Sequence, residues 1–387
     1  MLKLYFVLLL GLLVLGQFTS LTKAEGLNLY FFDLFALYFV LYGLVCLKQK
    51  KVRLVLPKNI AMLLLFSFVA FSSWLLHAYR YDLLQNLSAI FYLVRFVIYL
   101  FSAVVVYNAV KNGLLSKEFV YGAFITGGVA LVVAGILQLI LLPDFEVLDQ
   151  SLGWDPHKNR LAATFFDPNF LGCYLVLCFF VLAEKFRLIK LHFGLKMFSL
   201  SLLLLGIILT FSRSTWLMFS VGVLLYGLFK NRFFLLFGAV VVVSAYYAVP
   251  RIQTRVSGTT DPADSAQFRL ISWRNTYEII KDSPWVGVGY NNLRYVQKDY
   301  GFLDTDTYLK HSSAGSDSSL LYIWATTGLL GLIVFISALY YSARTSFLSF
   351  VIIVSLLVQS QFTNSLFYPQ ILFLWLVVAS FDYLSNS

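Results

Sequence analysis

The chain has 387 residues, of which 60% are hydrophobic and only 12% charged, whereas a soluble protein is closer to a quarter charged. That balance excludes a soluble multidomain protein and describes a polytopic membrane protein organised as one helical bundle. The net charge of +10 is no nucleic-acid signature, because Lys and Arg beside membrane spans first report orientation.

In chain order, apolar segments predict twelve helices, at roughly 4–22, 27–47, 59–77, 89–110, 118–142, 168–183, 196–211, 214–229, 233–250, 318–341, 345–362 and 366–384. Most match a hydrocarbon core of about 30 Å at 1.5 Å per residue. The first run, between Lys3 and Thr22-Lys23-Ala24, is long for a secretory signal core and reads as a retained helix. Cys46, Cys173 and Cys178 fall inside apolar runs and read as packing residues, with no metal-ligand spacing. The expected fold is all-α, a transmembrane bundle of about twelve spans. It divides into spans 1–9 over residues 1–250, a large helical extracytoplasmic loop at 251–317, and spans 10–12 over 318–387.

Orientation follows from Lys/Arg counts. With the N-terminus in the cytoplasm, the inner segments carry fifteen cations, among them Lys48, Lys50, Lys51, Arg53, Lys58, Lys185, Arg187 and Lys190. The short outer loops carry five: Lys23, Arg80, Lys158, Arg160 and Arg213. The positive-inside rule favours this arrangement, with both termini cytoplasmic and 251–317 outside. That segment is the one long polar interval, with eight Lys/Arg and eight Asp/Glu, and a loop of this size is expected to form a site or a lid.

Ionisable groups within spans need a reason. Asp33 and Arg95 sit at similar depths in the second and fourth spans. They either lock two helices as an ion pair, or Arg95 faces a cavity and meets a phosphate. Gln138, Asp167, Asn169, Arg213, Gln359, Gln361 and Asn364 fall at outer ends, a distribution that suits chemistry at the outer leaflet better than a conduction path.

Four motifs carry candidate chemistry. In Arg160-Leu-Ala-Ala-Thr-Phe-Phe-Asp167-Pro168-Asn169, Asp167 caps a helix with Pro168 in its first turn. The helix N-terminus beside Arg160 is either an anion site or a plain capped entry. In Thr210-Phe-Ser212-Arg213-Ser-Thr-Trp216, Arg213 either snorkels beside Trp216 or grips phosphate oxygens. In the long loop, Asp261-Pro262 starts a helix running to Asp282, in which Arg269, Trp273 and Tyr277 share a face and Arg274 pairs with Glu278. Arg269 is therefore the candidate for a substrate anion. Pro284-Trp-Val-Gly287-Val-Gly289 follows, where two glycines permit a tight turn or close backbone approach. Last, His311 and Asp317 precede the tenth span and are the two candidate bases for an acceptor hydroxyl. Each also has a plain reading, His311 as a solvated loop residue and Asp317 as a helix N-cap. Asp304-Thr-Asp306 is a weak metal motif.

The order and sidedness of these motifs resemble the O-antigen ligase/polymerase family, over about residues 150–335. The resemblance rests on Arg160 before Asp167-Pro168-Asn169, and on Arg213 after Thr-x-Ser. It also rests on Arg269 four before Trp273, Pro284 with Gly287 and Gly289, and a span bearing Gly-Leu-Leu-Gly at 328–331. It implies a metal-independent, inverting glycosyltransferase without cofactor, whose donor is a glycan on undecaprenyl pyrophosphate at the outer face of the bacterial cytoplasmic membrane. Arg213 and Arg269, with Arg160, Arg95, Asn169 and Trp273, would bind the pyrophosphate and sugars, and Asp317 or His311 would serve the acceptor. Family ligases place His-Asn eleven residues before the first glycine of the last motif, where this chain has Asp317-Ser318. That departure favours a polysaccharide polymerase over a ligase to lipid A-core. A lipid-linked glycan flippase or a transporter is the alternative of a different class. Expected partners are the lipid-linked donor, a glycan or lipid-linked acceptor and membrane lipids, with a chain-length regulator or flippase as candidate protein partners and no nucleic acid.

Overall fold

The computed structural model describes residues 1–24, 27–148, 157–258, 265–303 and 315–381. Twelve apolar helices follow the predicted order: α1 (Leu2–Leu15), α2 (Phe31–Gln49), α3 (Lys58–His77), α4 (Leu83–Lys111), α5 (Lys117–Leu141), α6 (Pro168–Glu184), α7 (Phe193–Leu209), α8 (Arg213–Phe229), α9 (Phe233–Ala248), α13 (Ser319–Ala343), α14 (Phe347–Gln359) and α15 (Pro369–Phe381). Six of them are long and apolar enough to cross a membrane by themselves. A seventh qualifies if α9 is taken with α10 (Pro250–Ser257), which leaves it at a 97° bend, and five are shorter. The protein is a predominantly helical, polytopic membrane protein.

Two departures from expectation lie near the N-terminus. Helix α1 ends at Leu15 rather than near residue 22, with Gly16 at φ 51°. Ser20–Ala24 (β1) and Leu27–Tyr30 (β2) then pair antiparallel. The second apolar run begins as this strand because Tyr30 and Asp33 form a capping box that starts α2 only at Phe31.

The last helix is the best buried. Every residue of α15 from Gln370 to Phe381 is inside, surrounded by α1, α3, α4, α6, α13 and α14. Helix α9 is the opposite: none of its residues is buried, and its apolar side chains face outward, as a lipid-facing helix should.

The long polar interval folds into α10, α11 (Ser265–Asp282) and α12 (Leu293–Asp299). Between α11 and α12 the chain docks into a break in α13. Gly328 leaves the helix at φ 70°, ψ −175°, nine residues in, or about 13 Å at 1.5 Å per residue. Gly287 meets it at φ 73°, and a Cβ there would lie 2.6 Å from the backbone of Thr326 and Thr327. The sequence reading of close backbone approach at Gly287 holds, and its partner is the first glycine of Gly-Leu-Leu-Gly. A broken helix in an apolar setting must re-satisfy its freed polar groups. Val288 N–H donates to the Ala325 carbonyl at 2.8 Å and Leu329 N–H to that of Pro284 at 2.9 Å. The Trp324 indole reaches Pro284 at 3.0 Å. The Ser73 hydroxyl of α3 lies 2.8 Å from the carbonyls of both Val286 and Thr326.

Candidate functional site

The segment from His157 to Asp167 is tied to the bundle by its backbone. Leu161 N–H donates to Leu209 at the end of α7, at 2.9 Å, and Gln138 Oε1 of α5 accepts from Ala162 and Ala163 at 3.0 and 3.3 Å. Arg160 is thereby drawn inside, with Nε donating to the Thr210 carbonyl at 2.9 Å. Asp167 caps α6 as expected, accepting from Asn169 and Phe170 N–H at 2.6 and 3.2 Å.

Asn169 then staples two helices. Its Oδ1 accepts the Ser212 hydroxyl at 2.7 Å, and Ser212 caps α8 through Thr215 N–H at 3.4 Å. The packing is close enough that a Cβ on Gly172 would collide with Thr215. Arg213, the first residue of α8, is aimed at the start of the outer helices, with Nη1 donating to the Arg255 carbonyl at 3.2 Å. Three residues on, the Trp216 indole donates to the Ile207 carbonyl at 3.2 Å.

Helix α10 crosses the end of the bundle. Arg251 donates to the carbonyls of Lys158 and Asn159 and stacks on Phe211 with 4.7 Å to the ring centre. The charge of Arg255 acts on both Arg160 and His157. These three residues, Arg251, Arg255 and His157, were missed by the motif reading. A signal existed, because Pro250 ends the ninth apolar run and Arg251 and Arg255, four apart, share a helical face.

Helix α11 presents Arg269, Ser272 and Trp273 inward, on the side where Thr276, Ile279 and Ile280 are buried. Tyr277 is exposed, correcting the shared-face reading. Each four-residue step drifts about 40° around a helix, so two steps carry Tyr277 off the face. Arg274 is exposed and does not pair with Glu278, which takes Lys281 at 3.0 Å instead. The Trp273 ring packs on Phe362 at 5.8 Å, and its buried indole N–H has no acceptor among the described residues.

Asp317 sits opposite. The cap of α13 is Ser318, whose hydroxyl accepts from Leu321 N–H at 3.3 Å, so Asp317 does not cap that helix. Its N–H donates to Ser272 Oγ at 3.2 Å. Burial pushes the Asp317 carboxyl up from its usual range, opposed by the Arg269 charge and the Ser272 hydroxyl. His311, Asp304, Asp306 and the Asp261-Pro262 start of the helix lie outside the described residues.

Arg269 acts on both Asp317 and Arg160, so the charges form one cluster. Arg160 is pushed down to about 9, first by burial and then by Arg255. Guanidinium groups packed this way, opposed by Asp167 and Asp317, create a field suited to a multiply charged anion.

Arg95 belongs elsewhere. It pairs with Asp33 at 2.6 Å, donates to the Asn28 carbonyl, and lies over the rings of Phe91 and Tyr92, each at 4.8 Å. The helix-locking alternative is the geometry found.

Residues 198–336 match the family model described as O-antigen ligase. Over that segment the chain is similar to the O-antigen ligase family. The matched O-antigen ligase segment runs from α7 into α13 and contains Arg213, Arg255, Arg269, Asp317 and both glycines of the docked turn. Arg160, Asp167 and Asn169 precede it and join it through Thr210 and Ser212. No curated protein matches the chain.

Proposed function

We propose that this O-antigen ligase-type enzyme is a polysaccharide polymerase, transferring a glycan from undecaprenyl pyrophosphate to a sugar hydroxyl of a second glycan at the outer face of the bacterial cytoplasmic membrane. What supports this reading is that the charges of Arg160, Arg255 and Arg269 act on one another or on Asp317, while Arg213 donates to the Arg255 carbonyl.

In this reading the acceptor oxygen attacks C1 of the donor sugar from the side opposite the pyrophosphate. The C1–O bond breaks with inversion, its electron pair leaving with undecaprenyl pyrophosphate. Guanidinium donors meet the charge as it develops on the leaving oxygens. The acceptor proton passes to the Asp317 carboxylate, with His311 the other candidate. Trp273, four residues from Arg269, offers a ring face and an indole N–H to a sugar. No metal or nucleotide is required. All twelve apolar helices cross the membrane, the five short ones through local thinning of the bilayer, and both termini are cytoplasmic.

Purified protein given lipid-linked repeat units tests this. Longer chains support polymerisation, transfer to lipid A-core or another acceptor supports a ligase, and absence of any new glycosidic bond supports a flippase.

A further inference from the structure

We propose that His157 is a further ligand of the anionic substrate, donating its imidazole Nε2–H to a phosphate oxygen held by Arg160 and its neighbours. This rests on reading the arginine cluster as a pyrophosphate site.

The tautomer follows from one contact. His157 Nδ1 lies 3.3 Å from Arg160 Nη1. A guanidinium nitrogen only donates, so Nδ1 must be the acceptor, and the proton of the neutral ring is on Nε2. That Nε2–H is buried and has no acceptor among the described residues. The ring stays neutral at physiological pH: burial first, then Arg160 and Arg255, hold it down at about 4, although Asp167 pulls the other way. His157 therefore adds a donor to the cluster without another positive charge. The position is held by the backbone, since the His157 carbonyl accepts from Phe145 N–H at 2.9 Å. An unmatched buried donor amid guanidinium groups is satisfied by the same anion they attract.

The test uses full-length protein in phosphatidylcholine nanodiscs, titrated separately with inorganic pyrophosphate and undecaprenyl pyrophosphate. We expect His157→Phe to weaken binding of the lipid pyrophosphate and raise the donor KM, each by roughly tenfold or more. His157→Gln, which keeps an N–H donor, should recover part of the loss. In the unmutated protein, the ¹⁵N resonance of His157 Nε2 should move on titration, a readout independent of any folding defect. Movement with both probes identifies a phosphate site, and movement with the lipid form alone identifies a lipid headgroup site. A resonance that moves with neither probe, or a folded His157→Phe that binds like wild type, overturns the inference. If that happens while Arg213→Ala and Arg269→Ala abolish chain growth, only the role of His157 falls. If the arginine variants stay active, the pyrophosphate reading falls.

Discussion

Arg213 Nη1 donates to the carbonyl of Arg255 at 3.2 Å, so the first residue of a membrane helix holds the helix that crosses the bundle end. Arg213 thus joins two stretches that supply cations to one cluster. We expect Arg213→Ala to reduce chain growth to background. Arg213→Lys should lose roughly 10- to 100-fold, because an ammonium lacks the planar fork. Product length on a polysaccharide gel, with membrane insertion checked in parallel, measures both.

The two faces of α11 give an internal control. Arg269 points inward toward Asp317, whereas Arg274 is exposed. Arg269→Ala should abolish transfer, and Arg274→Ala should leave it within about twofold, as surface substitutions usually do. Equal losses in the two would remove the case for a buried arginine clamp.

Asp317 couples activity to stability with opposite signs. Its carboxyl titrates above the ordinary 3.8 because it is buried. A base must be ionised, so the acid limb of the rate profile should lie above that value. Stability runs the other way. A group whose pKa is raised in the fold favours folding below its unfolded value and loses that contribution as pH rises through the folded one. Asp317→Asn should therefore raise Tm at neutral pH while removing activity. Unchanged Tm together with full activity would show that the carboxylate does neither job.

The docked turn depends on two backbones in van der Waals contact. Gly287→Ala places a Cβ 2.6 Å from the backbone of Thr326 and Thr327 at φ 73°. We expect a loss of more than about 1 kcal/mol, read as a lower Tm and lower folded yield in detergent. Gly328→Ala, at φ 70° against the Trp285 carbonyl, should behave likewise. Gly113→Ala, which meets no neighbour at a similar φ, should lose less.

The Asp33–Arg95 pair separates scaffold from substrate binding. Removing one partner of a buried pair costs about 3–5 kcal/mol, whereas replacing both with apolar residues is often neutral. Asp33→Leu or Arg95→Met alone should lower folded yield, and the double variant should recover it. Chain growth by that double variant would confine Arg95 to helix locking, and its loss at normal yield would return Arg95 to the phosphate.

Hydrophobic runs and the placement of Lys and Arg decided, from sequence alone, that the chain is a helical membrane protein, where its apolar helices fall, and which motifs bear arginine. Those properties are local: a run of apolar residues must hide its backbone by helix formation whatever its neighbours, and Asp167 before Pro168 caps a helix on its own. Which arginines meet is not local. Arg95 and Arg160 look alike along the chain, yet one is spent on Asp33 and the other is drawn beside Arg255. His157, Arg251 and Arg255 joined the cluster only because α10 turns 97° from α9 and lies over the His157–Asp167 segment. Such an angle is chosen by packing between segments nearly a hundred residues apart. Even the burial of the short C-terminal α15, no more apolar than the exposed α9, was settled by which helices surround it, because hydrophobicity alone does not tell a side chain whether lipid or protein will cover it.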